Sequence, residues 1–354
     1  MYETQPKKLI IMNILDILRR YTDADHRLSQ KEIAEILQKE YHMKADRKAI
    51  KRNLMNLIDF GYEIEYSETL RMMPNSQTGE MDETYILSDF YLKREFDDSE
   101  LRLIIDSLIS SKHIPYNQCK RLLSKIEGLS SIYFHSRMKH IALLADDRTD
   151  NKQIFLNIEL LDEAISHGKK VIFKYAEYGT DKKMHPKKRP DGTEREYIVS
   201  PYQMAIKEGK YYLICNYDKY NDISNYRIDR IRELQILDEP VKPFQTLHGA
   251  NGQRLNLAEY MKEHIYMFSS DSVRVKFRIT RPMISDVIDM FGKDVTFSDE
   301  NDEGVTVTAY TNEMSMEQFA KAFSPDVIVL EPAELADKVR NIMEETVRKY
   351  KNND

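Results

Sequence analysis

The sequence predicts an α+β multidomain chain, and three observations predict it. At 354 residues it is longer than a single hydrophobic core usually holds. Helical periodicity fills the first sixty residues and then gives way to a period-two run. Short strand-like segments at intervals of about ten residues follow in the middle of the chain. Charged residues make up 32% and hydrophobic residues 41%, an ordinary balance for a soluble globular protein. No apolar run approaches the ~20 residues of a membrane helix. Met1–Pro6 leads into an amphipathic segment without a signal-peptide profile. The two cysteines, Cys119 and Cys215, argue against a disulfide framework or a zinc site and fit a reducing cytoplasm. The net charge of −6 argues against a uniformly basic surface but permits local basic patches.

Residues 1–90 read as three helices and a hairpin. Ile10, Ile11, Ile14, Leu15, Ile17 and Leu18 fall on one side of a first helix. Ser29 and Glu32 form a capping-box pattern before a second helix carrying Ile33, Ile36 and Leu37. Asp46 is placed to cap a third, whose buried face holds Ile50, Leu54, Leu57 and Ile58 and which ends at Gly61. The opposite face shows Arg47, Lys48, Lys51, Arg52 and Met55. Tyr62, Ile64 and Tyr66 alternate with glutamates as a strand, and Tyr85–Leu87 supplies a partner across a polar loop at 67–84. Three helices and a hairpin make a winged helix-turn-helix, whose third helix fits the major groove of duplex DNA. Arg47, Lys48, Lys51 and Arg52 would contact phosphates, and Arg47 or Asn53 would read bases. A plain three-helix bundle with a solvated basic face gives the same spacing.

Residues 91–150 read as a helical connector, with apolar stripes at Leu101–Ile109 and Leu122–Leu129. The polar run Asp146–Asn151 marks a boundary. In residues 151–240 a short helix stops at Gly168, and strands follow at 170–175, 197–204, 210–216, 225–228 and 233–237. These suggest a small barrel or curled sheet. Residues 241–354 continue with a strand at Val273–Ile279 bearing Arg274, Lys276 and Arg278 on one face. A helix, two strands and two helices follow, the order of a ferredoxin-like α/β sandwich.

Four stretches of the middle region occur together: Gly168–Tyr175, Ser200-Pro201-Tyr202, Tyr211-Tyr212-Leu213 and Tyr226–Ile231. As a set they resemble the WYL domain, an SH3- or Sm-like β-barrel named for a Trp-Tyr-Leu triplet, here with Tyr211 in the tryptophan's place. The upstream helices are similar to the winged helix-turn-helix that often accompanies that domain in bacterial regulators, and the downstream region resembles their C-terminal extension. The resemblance implies a pocket made of Tyr175, Ser200, Tyr202, Tyr212, Arg227 and Arg230. Its implied ligand is a nucleotide or a single-stranded nucleic-acid effector, sensed by a regulator that binds a duplex DNA operator as a homodimer. Paired arginines suit phosphate and tyrosines suit base stacking. Tyr202 and Tyr212 as core residues, and Arg230 paired to a nearby carboxylate, are the competing assignments. An accessory protein that captures single-stranded RNA or DNA and modulates a defence enzyme is the alternative function. The sequence lacks a phosphate loop, a Gly-x-Ser-x-Gly motif and metal-spaced histidines, so neither catalysis, a cofactor, a metal nor a membrane partner is expected.

Overall fold

The computed structural model describes residues 6–74, 81–137, 149, 151–248, 250, 252 and 254–351. The chain divides into two compact units, Met1–Arg148 and Thr149–Asp354.

The first unit opens with α1 (Ile10–Tyr21), α2 (Gln30–Tyr41) and α3 (Arg47–Phe60). Their starts follow from local chemistry. The Ser29 hydroxyl accepts the Glu32 N–H while Glu32 accepts the Ser29 N–H, and Asp46 accepts the Ala49 N–H. Gly61 stops α3 at φ 113°, a left-handed conformation that costs glycine little. Ile14, Ile17, Leu18, Ile33, Leu37, Ile50 and Leu54 are wholly buried between the three helices. Met55, expected on the basic face, packs against this core instead. The antiparallel hairpin of β1 (Ile64–Pro74) and β2 (Met81–Leu92) closes the cluster through Phe90, which also bridges to Leu28. Most of the expected polar loop at 67–84 is therefore strand, and the rest, residues 75–80, lies outside the described residues. Next come α4 (Asp98–Ser110), capped by Asp97, then α5 (Tyr116–Glu127) and α6 (Ile132–Arg137). Leu101, Ile105 and Phe134 form their shared core. Arg94 joins helices and hairpin by donating to the carbonyls of Arg19, Thr22 and Leu129.

The second unit begins with α7 (Ile154–Ser166), β3 (Lys169–Tyr178), β4 (Met184–Pro186), β5 (Glu196–Lys207), β6 (Lys210–Tyr217) and β7 (Ile223–Arg227). A 3₁₀ turn, Ile228–Arg230, leads into β8 (Ile231–Pro240). The strands pair antiparallel in the order β4-β3-β5-β6-β7, with β8 on β3. This corrects the expected barrel. The chain passes from β7 to β8 through the 3₁₀ turn, no ladder joins those two strands among the described residues, and the sheet stays open. One face packs on α7 through Val171, Phe173, Val199, Leu213, Cys215 and Ile228. The other packs Ala205 and Ile214 against Tyr260 of α8 (Leu257–Glu263) and Met267.

The remainder is β9 (Ser272–Ile279), α9 (Ile284–Phe291), β10 (Thr296–Asn301), β11 (Gly304–Asn312), α10 (Glu313–Ala322), β12 (Val327–Glu331) and α11 (Ala333–Lys351). Its antiparallel order β10-β11-β9-β12 is that of a split β-α-β sandwich. Val275, Phe277, Ile279, Val307 and Phe319 lie at its centre. Gly304 makes the closest approach: a Cβ there would lie 2.1 Å from the Ile279 carbonyl oxygen, so only glycine fits.

Candidate nucleic-acid surfaces

In the first unit, Arg47, Lys48, Lys51 and Arg52 are all exposed on the first two turns of α3. None forms an ion pair among the described residues, whereas Arg20, Lys31 and Lys93 each hold a carboxylate. Like charges on adjacent turns repel, so the cluster gives this face of α3 a local positive field. Asn53 departs from expectation. It is half-buried and its side-chain amide donates to the Ala49 carbonyl at 2.7 Å, so the amide is committed to its own helix rather than offered to base edges. The hairpin is also unlike a phosphate-binding wing. Its strands carry Glu65, Glu68, Asp82, Glu83 and Asp89 against one cation, Arg71.

In the second unit, the six predicted pocket residues separate into two groups. Ser200 and Tyr202 grip the chain just after β8. The Lys242 N–H donates to Ser200 Oγ at 2.9 Å, and the Tyr202 hydroxyl donates to the Lys242 carbonyl at 2.8 Å. Ser200 is wholly buried and Tyr202 packs edge-on against Phe244. Both therefore anchor the exit strand, a correction to their expected place beside the arginines. Burial raises the Tyr202 pKa, as suits a hydroxyl acting as a fixed donor.

Tyr175, Tyr212, Arg227 and Arg230 do come together. Tyr212 stands opposite Arg227 in the β6–β7 ladder. Nearly buried Tyr175 accepts the Arg227 N–H on its hydroxyl at 3.2 Å and meets Tyr226 edge-on at 5.1 Å. Burial raises the pKa of both Tyr175 and Tyr212. Arg227 is not open as expected. Its Nε and Nη2 donate to Asp229 Oδ1 and Oδ2 at 3.1 and 2.7 Å, and the Asp229 side chain is only 5% exposed. Burial works against charge on Arg227, yet Asp229 outweighs it and its pKa is raised. The carboxylate pairing considered for Arg230 belongs to Arg227. Arg230 keeps a buried Nε with no hydrogen-bond partner among the described residues. A buried donor left without an acceptor costs ~1–3 kcal/mol.

The turn that presents these groups is pinned from beneath. Buried Asn151 donates to the carbonyls of Asp229 and Ile231, both at 3.0 Å, and Asn157 of α7 donates to that of Ile231 at 3.1 Å. Sequence reasoning missed both asparagines, because an isolated Asn before or within a helix has no periodic signature. It also missed Lys207 and Lys210. Strand alternation puts them on the Tyr212 and Arg227 face, since Ala205 faces Tyr212 and Lys207 faces Lys210 across the β5–β6 ladder. Neither makes an ion pair among the described residues. Lys207 is half-buried and donates to the Met261 carbonyl of α8 at 3.5 Å, and burial lowers its pKa. Two cations, Arg227 and Arg230, and two carboxylates, Glu208 and Asp229, act on Tyr212, and Lys207 and Lys210 share its face of the sheet.

Among the described residues, no cluster of His, Cys, Asp or Glu is suited to a metal, and no helix is long and apolar enough to cross a membrane. None of the curated proteins compared with the chain matches it. Solved structures similar to it include the following two. The first is proteasome accessory factor B/C (PafBC) of Arthrobacter aurescens, 14% identical, with 96% of this chain and 48% of that one covered and a TM-score of 0.27. The chain thus spans about half the length of that relative. The second is described as a CRISPR Cas-related protein, 15% identical, with 100% of this chain and 88% of that one covered and a TM-score of 0.36. Family models match two stretches, 157–236 and 271–347, which take in the open sheet and most of the split β-α-β sandwich. The second unit therefore carries a WYL domain followed by a WCX domain.

Proposed function

We propose that this protein is a ligand-responsive transcriptional regulator, a binding protein rather than a catalyst. In this reading α3 grips duplex DNA, and the WYL sheet senses an anionic nucleotide or single-stranded nucleic acid. The observation that carries it is the unneutralised cluster Arg47, Lys48, Lys51 and Arg52 in a chain whose net charge is −6. A local field of that sign attracts phosphates despite the global charge, because screening confines each charge's reach to ~8–10 Å. The acidic hairpin would be repelled from the backbone, so the duplex contact is assigned to α3 without the wing. A homodimer would set two such helices on half-sites about 34 Å, or a multiple of it, apart.

The sensing role draws support from the WYL domain match and from the unpartnered Nε of Arg230 beside the Arg227–Asp229 pair. The test compares two variants of the full chain by fluorescence anisotropy. Lys51→Ala with Arg52→Ala should weaken duplex binding and leave single-strand binding in place. Arg230→Ala should do the reverse. Parallel loss of both activities in either variant would refute the division of labour.

A further inference from the structure

We propose that the WYL sheet holds two consecutive phosphates of a single-stranded oligonucleotide, one at Arg227 and Arg230 and the next at Lys207 and Lys210, with a base against Tyr212 between them. The inference rests on the sensing role proposed above and adds Lys207 and Lys210 to the site.

The ladder fixes the arrangement. Tyr212 pairs with Arg227 on one side and with Ala205 on the other, and Lys207 pairs with Lys210 at the hairpin end. Two residues along a strand cover about 7 Å and one strand step covers about 5 Å. The lysine pair is therefore displaced from the arginine pair along the strands as well as across them. The two pairs are also held apart. Arg227 is fixed by Asp229, and Lys207 is drawn toward the Met261 carbonyl on α8. A lone phosphate engages one pair; an anion at each end needs a chain with one charge per nucleotide. Tyr212, half-buried against Leu255, Leu257 and Met261, supplies an aromatic surface midway. Among the described residues, neither lysine would have to leave a carboxylate to take part. Glu208, next to Lys207, disfavours an uncompensated polyanion and sets a limit on nonspecific affinity.

The test uses the full chain and four probes: thymidine 5′-monophosphate, the dinucleotide pTpT, (dT)6 and (rU)6. Isothermal titration at low salt should give pTpT an affinity about tenfold above the mononucleotide, the gain of one further charge-assisted contact. Lys207→Gln with Lys210→Gln should bring pTpT down toward the mononucleotide. It should also flatten the salt dependence of (dT)6 binding by about 0.7 for each contact removed. Arg230→Ala should weaken every probe. Equal affinity for mononucleotide and dinucleotide, or an equal loss for both in the lysine variant, would overturn the two-phosphate site while leaving a sensing pocket. Failure of all four probes to bind would sink the sensing role and this inference together. The (dT)6 and (rU)6 arms assign the strand as deoxyribose or ribose. Thermal melting of each variant, with Lys207→Arg and Lys210→Arg as the charge-preserving control, separates lost binding from lost folding; a control that binds no better than the glutamine variant counts against the proposal.

Discussion

The α3 face and the WYL sheet both gather cations, but they are built in opposite ways. On α3 the four side chains are exposed and form no ion pair among the described residues. Around Tyr212 they are half-buried, and one is locked to an internal carboxylate. An exposed cluster gives reach and salt-sensitive affinity with little discrimination, because water screens each contact. A half-buried cluster has already lost hydration, so it gains more from a ligand of the right shape and loses more from a wrong one. The first arrangement favours charge alone, and the second favours a ligand whose charges match a fixed spacing.

The comparison breaks most readily at Asp229. Asp229→Ala leaves Arg227 without its partner, and urea unfolding should show a loss of about 3 kcal/mol. A loss below ~1 kcal/mol would mean that the second surface is as solvated as the first. Next in size is Arg230→Ala, which gives up no side-chain hydrogen bond among the described residues. Its unfolding free energy should stay within about 0.5 kcal/mol of the parent. Its effector affinity should fall by about 1.5–3 kcal/mol, read by titration. Lys51→Ala should weaken all duplexes alike and reduce the slope of log K against log salt by about 0.9; sequence-selective loss would contradict a phosphate role. Effector binding should also weaken as pH rises through the Lys207 pKa. Burial lowers that pKa, so the ammonium is lost earlier in the alkaline range than an ordinary lysine's, and Lys207→Arg should abolish the early decline. Smallest is Asn53→Ala. Its amide serves Ala49, so operator preference should be unchanged in a binding selection.

How much was legible follows the same divide. The helices of the first unit are set by neighbours in sequence. Ser29 with Glu32, Asp46 and Gly61 announce their ends, and the basic face of α3 needs only the helical period. Asn53 misled because its rotamer, not its position, decides what it offers. The WYL surface depends on register instead. The pairing shifts between Pro201 and Gln203, and a one-residue slip exchanges the faces of everything beyond it. Lys207 could be placed beside Tyr212 only once that irregularity was known. The contact that Ser200 and Tyr202 make was hidden for a related reason. Their partner, Lys242, is 42 and 40 residues away, and no local pattern encodes the contact. The open sheet has the same origin, since whether β7 joins β8 is decided by the 3₁₀ turn between them.

The hydrogen bond from Lys207 to Met261 has a mechanical corollary. Met261 lies in the last turn of a seven-residue helix, where carbonyls point outward and a nearby cation offsets the negative pole. Withdrawing that ammonium would fray the turn. The chain immediately beyond it is stitched to β11, with Thr311 donating to the Glu263 carbonyl and Asn312 to that of Ser270. Slack introduced at one lysine would thus arrive at the WCX sandwich as a changed tether.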